Sequence, residues 1–186
     1  MVKLARDAVL ELEARRRIYD AVVQSPGLHF RELQRRMGSA YGALQYHIEF
    51  LVRHGLIVEE KGREYSRYFP ANFRNIRERE LMSLLRQESI RRVLLLLLEN
   101  PSSRNKDLVE ALGLSASTIS WHLGRLLQAG AVVSERKDGE AVFSVSEPDA
   151  VTRLLVSYKA SFLDKIVDRF VEVWERENIG RMEALK

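Results

Sequence analysis

Apolar positions along this chain follow a helical period, break at proline or glycine, resume twice, and then switch to the alternation of a strand. The whole pattern occurs twice. In the first stretch a helix runs into Ser25-Pro26, a short second helix covers Phe30 to Met37, and a third spans about Ala40 to His54. In the second stretch the same three run into Asn100-Pro101, cover Asn105 to Leu112, and span about Ser115 to Ala129. Proline ends the first helix of each set because it cannot continue the hydrogen-bond ladder. Gly38 and Gly113 stop the second helices, and Gly55 and Gly130 the third. Ser115 has the hydroxyl of a good N-cap. Leu56-Ile57-Val58 and Ala131-Val132-Val133 then open β-hairpins that return at about Tyr65 to Phe69 and Ala141 to Val145. The turns hold Lys61-Gly62 and Asp138-Gly139, the second pair a strong hairpin signal.

Residues 16–60 lie over residues 91–135 at a constant offset of 75, without a gap, and ten positions are identical. Among them are Arg16/Arg91, Pro26/Pro101, Leu33/Leu108, Gly38/Gly113, His47/His122 and Gly55/Gly130. These fall where backbone geometry and packing restrict the choice of residue, so one unit is used twice.

Helix, helix, short turn, helix, hairpin is the winged helix-turn-helix order. The fold class expected is mainly α with small β-hairpin wings. The first domain should cover 1–72, a helical connector 73–88, the second domain 89–147, and one long C-terminal helix 148–186. The connector carries Ile76, Leu81, Leu84 and Leu85 and is expected to hold the units rigidly. In the C-terminal helix Pro148 and Asp149 suit the first turn. Its apolar stripe runs Val151, Leu154, Leu155, Tyr158, Phe162, Ile166, Phe170 and Val173, with Val167 and Trp174 beside it. That stripe is broader than a small unit needs. It should pack on the N-terminal helix at Val9, Leu12 and Ile18, or on a second copy in a homodimer.

The second copy resembles the ArsR/MarR-like transcription regulators, particularly their tandem archaeal versions. The residues that carry the resemblance are Leu112-Gly113-Leu114-Ser115, Thr118-Ile119-Ser120-Trp121-His122-Leu123, Leu126 and Ala129-Gly130-Ala131-Val132. The first copy keeps Leu44, His47-Ile48, Leu51 and His54-Gly55-Leu56-Ile57, but has Ser39-Ala40-Tyr41-Gly42 in place of the serine-rich entry. The resemblance covers about residues 16–146. It implies double-stranded DNA as the partner and a dimeric regulator that occupies promoter DNA or contacts the basal transcription machinery.

Composition narrows the alternatives. Hydrophobic residues make 46% and charged residues 30% of the 186, a globular balance. The absence of cysteine excludes disulfides, thiolate metal sites and cysteine nucleophiles. The longest apolar run, Val93 to Leu98, is far below the ~20 residues of a membrane span. Acids at Asp7 and Glu11 argue against a signal peptide, so a cytoplasmic location is expected. The net charge is +4 with a pI of about 9.5. It is uneven: residues 1–88 carry +4, 89–150 carry −1 and 151–186 carry +1. This permits a nucleic-acid partner without demanding one, and is too mild for an architectural chromatin protein.

At 100° per residue, Ile119, Leu123 and Leu126 of the second copy's third helix face the core. The opposite arc holds Ser117, Trp121, Gly124 and Gln128, flanked by Thr118 and Arg125. Hydroxyls, an indole, an arginine and a small residue suit a major groove. Ser115, Ser117, Thr118, Trp121 and Arg125 are the candidate DNA contacts, with a domain–domain contact the equal alternative for Trp121. The same arc of the first copy holds Gly42, Tyr46, Glu49 and Arg53, flanked by Ala43 and an exposed Phe50; it is a poorer groove face, on which Tyr46 and Arg53 are the candidate DNA contacts. Glu49 would repel phosphate. That copy should therefore bind DNA mainly through its wing (Lys61, Arg63, Arg67), or dock on protein through Phe50. The second wing offers Arg136 and Lys137, offset by Asp138 and Glu140. Arg104 and Lys106, opening the second copy's second helix, are further phosphate candidates.

His47 and His122 share one position and are read as packing residues. No histidine follows residue 122, so Asp164, Asp168 and Glu172 are read as a solvent face and no metal is expected. No phosphate loop, His-x-x-x-His pair or nucleophile motif is present, and neither an enzyme nor a cofactor is expected. The competing reading is a tandem winged-helix scaffold within a larger assembly.

Overall fold

The computed structural model describes residues 12–62 and 65–177. The chain divides into two compact units between Ser83 and Leu84. The first contains α1 (Glu13–Gln24), β1 (Leu28–His29), α2 (Phe30–Met37), α3 (Tyr41–Arg53), β2 (Ile57–Lys61) and β3 (Ser66–Pro70). Helix α4 (Ile76–Leu85) carries the chain across the division. The second contains α5 (Glu88–Glu99), β4 (Ser103–Arg104), α6 (Asn105–Leu112), α7 (Ala116–Gln128), β5 (Val132–Lys137) and β6 (Glu140–Val145). Three further helices follow: α8 (Pro148–Ser157), α9 (Lys159–Phe162) and α10 (Lys165–Glu177).

Each unit has a three-stranded antiparallel sheet with the return strand in the middle, ordered β1-β3-β2 and β4-β6-β5. The sequence pattern missed β1 and β4, because two residues cannot display a period of two. Each is short because it only adds an edge between two helices: Leu28 pairs with Tyr68, and Ser103 with Phe143. The offset of 75 continues through the wings. Ile57 pairs with Pro70 and Val132 with Val145, while Lys61 pairs with Ser66 and Arg136 with Ala141.

Apolar burial places the third helix of each unit. In the first, Leu44, Ile48 and Leu51 of α3 pack with Ile18, Val22, Leu28, Leu33, Ile57 and Tyr68. In the second, Ile119, Leu123 and Leu126 of α7 are buried, as are Val93, Leu94, Leu108, Val132 and Val142. Gly38 and Gly113 close α2 and α6 at φ 62° and 65°, a conformation that costs glycine nothing. Asp138 and Gly139 both take positive φ, 52° and 80°, in the two-residue turn whose twist matches the flanking strands.

The long C-terminal helix is corrected. Tyr158 leaves helical geometry, and Leu163 adopts the left-handed region at φ 52°, so 148–177 is three helices. The reason lies at Asp164, read above as solvent-facing. Its Oδ2 accepts from Arg91 at 2.7 and 3.1 Å, and its Oδ1 accepts the Ile166 N–H at 3.0 Å at the start of α10. Arg91 also donates to Leu85 O at 2.7 Å, and Arg86 donates to Ser161 O and Oγ. Turning the chain at Leu163 satisfies this buried ion pair. Within its unit α10 packs on α5 and α8, burying Val167, Phe170 and Val171. Ile166 and Val173 of the stripe stay exposed. Val9 lies outside the described residues.

Candidate nucleic-acid interface

The second unit's surface is built from three pieces: the α6–α7 turn, the outer face of α7, and the β5–β6 wing. Ser115 caps α7, its Oγ accepting the Thr118 N–H at 3.1 Å. The same Oγ lies 2.9 Å from Ser117 Oγ and 2.8 Å from Thr118 Oγ1. Three hydroxyls thus gather where the helix amides give positive potential. Asn105 at the start of α6 donates to Ser120 Oγ at 3.1 Å and ties the two helices together.

Further along α7, Trp121 is 57% exposed. The Arg125 guanidinium lies 4.8 Å from its ring centroid and donates to Gln87 Oε1 at 2.6 Å. The arginine is therefore held in place by α4–α5 on one side and stacked on the indole on the other. The loop residue Gln87 was not foreseen, since nothing in the local sequence links positions 38 apart. Gly124 lies open, and a Cβ there would meet nothing within 4 Å.

His122 is buried beside Trp121, rings at 5.1 Å. Burial, and then the Arg125 charge, hold its pKa below the ordinary histidine value. Burial and then Arg15 do the same to His47. Nδ1 of each ring is buried with no hydrogen-bond partner among the described residues. Both rings are thus neutral packing elements at neutral pH.

The phosphate candidates divide. Arg136, Lys137 and Lys61 are exposed on their wings. Arg104 and Lys106 are already paired: Glu140 Oε2 lies 2.7 Å from Arg104 Nη1, and Oε1 3.6 Å from Lys106 Nζ. Arg67 is no wing-tip residue. It lies where β3 pairs with β1 and donates to Gly27 O at 2.7 Å. Arg63 lies outside the described residues.

On the first unit, Tyr46 and Arg53 are exposed on α3, and Glu49 accepts from Gln45. Phe50, expected to be bare, is instead half-buried. The Arg15 guanidinium lies 3.5 Å from its centroid and the His54 ring stacks at 4.0 Å, so it offers no open apolar contact. The residues at the same surface that sequence reasoning passed over are Tyr41 and Tyr65, both exposed. Their rings lie tilted against those of Phe30 at 4.7 Å and His29 at 5.4 Å respectively.

Residues 86–133, which take in α6, α7 and the first two residues of β5, match the family described as winged helix-turn-helix DNA-binding. Residues 12–82 match a family described as an N-terminal HTH domain. The chain is a tandem winged helix-turn-helix protein. It is 28% identical over 144 residues to a protein described as an uncharacterized HTH-type transcriptional regulator of Methanocaldococcus jannaschii. That match takes in 77% of this chain and 36% of the relative, so the tandem helix-turn-helix chain spans about a third of the relative's length. Among the described residues of the protein no helix is long and apolar enough to cross a membrane. No three carboxylate or imidazole side chains gather there as a metal site.

Proposed function

We propose that this protein is a DNA-binding transcription regulator whose second unit inserts α7 into the major groove and lays its wing on phosphate. The observation that carries the reading is the division of α7. Ile119, His122, Leu123 and Leu126 are buried, while Ser117, Trp121, Gly124 and Gln128 are exposed. The hydroxyls and the stacked Arg125–Trp121 pair are chemically able to reach base edges, and Arg136 and Lys137 to grip phosphate. The first unit plays a secondary part through Lys61, Tyr46 and Arg53. A second copy of the chain joins through the exposed edge of α10.

The test is footprinting and anisotropy with DNA from upstream of the chain's own gene. Wild type should bind with an affinity that falls steeply with salt. Trp121→Ala with Arg125→Ala should abolish the preference for that DNA over random duplex while leaving residual salt-dependent binding. Unchanged preference in the double variant would refute the assignment of α7 as the reading helix.

A further inference from the structure

We infer that Glu140 is an affinity-setting mask: it holds two of the second unit's phosphate-seeking cations, Arg104 and Lys106, until DNA phosphate displaces it. The inference rests on the DNA-binding reading above. Glu140 is the first residue of the return strand, directly after the Asp138-Gly139 turn. Its two carboxylate oxygens take one cation each, at 2.7 and 3.6 Å. The three side chains line a shallow recess with Asn105 and Phe143, between the start of α6 and the wing. They are a third to two-thirds exposed, 37%, 63% and 49% for Arg104, Lys106 and Glu140. Pairs so wet are held weakly, so an incoming phosphate can replace the carboxylate. A DNA phosphodiester there would bring a single negative charge and two free acceptor oxygens, as the carboxylate does, and so can take over both cations. The duplicated fold supplies the contrast. At the offset of 75, Arg104 and Glu140 become His29 and Tyr65, which meet as rings at 5.4 Å. The contact between the edge strand and the wing needs no carboxylate, so the acid at 140 is not a demand of the fold.

The test is a salt series of anisotropy with a labelled mixed-sequence duplex, on wild type, Glu140→Gln, Arg104→Gln/Lys106→Gln and the triple variant, each checked for folding by thermal melting. Glu140→Gln should bind about two- to fivefold tighter, and its log–log salt slope should steepen by about one. Both gains should vanish in the Arg104→Gln/Lys106→Gln background. Wild-type binding that Glu140→Gln leaves unaltered would overturn the inference alone. A gain that persists without Arg104 and Lys106 would also overturn it, since Glu140 would then act by repelling DNA directly. No salt-dependent binding by wild type or Glu140→Gln would remove the regulator reading and the mask together.

Discussion

At the scale of single residues, the two units differ most where one keeps a hydroxyl and the other has lost it. Ser115 caps α7 through the Thr118 amide, whereas Ala40 holds the same place before α3 with no side-chain bond. The backbone at Ala40 is already that of a cap, φ −62° and ψ 146°, against −64° and 150° at Ser115. Ala40→Ser should therefore stabilise the first unit by about 0.5–1 kcal/mol, and Ser115→Ala should cost the second about 1 kcal/mol. Urea unfolding of each variant checks both. A loss of stability in Ala40→Ser would mean that the α3 entry is strained in a way its dihedrals do not express.

At the scale of elements, the helices and hairpins were legible because each is written in local rules: a period, a proline, a left-handed glycine. α2 and α6 begin and end at the residues the pattern indicated. The break at Leu163 was not legible. Its cause is the pairing of Asp164 with Arg91, 73 residues apart in sequence, and no local rule opposes a helix through Phe162-Leu163-Asp164. Arg16 and Arg91 are identical in the sequence, and only the fold distinguishes them by burying Arg91. The candidate site divides the same way. The outer arc of α7 follows from its period, but the clasp of Glu140 and the Gln87 support of Arg125 depend on side chains that only the fold brings together. Because Arg91 and Asp164 are 6% and 11% exposed, removing one leaves a buried charge. Asp164→Ala should destabilise the second unit by about 3 kcal/mol and free α10. Hydrogen exchange should report the loss on α10 before α7.

At the scale of the whole molecule, the question is whether one chain or two form the binding entity. The edge of the C-terminal helices carries Leu163, 88% exposed, with Ile166 and Val173. Lys165 and Arg169 precede Glu172 and Glu175 along α10, an order of charges that complements itself when two such helices run antiparallel. If a second copy joins there, wild type should sediment as a dimer at micromolar concentration, and Ile166→Glu with Val173→Glu should give a folded monomer. A wild type that remains monomeric would mean that the tandem units make up the binding entity alone.

The unbroken offset has a consequence for how this molecule can vary. Equivalent residues share not only a place in sequence but a strand register, down to the wing pairs Lys61–Ser66 and Arg136–Ala141. A side chain moved by 75 positions arrives on the same face of the same strand or helix. The chain is thus a ready-made set of interchangeable parts, in which each half serves as the reference for transplants into the other.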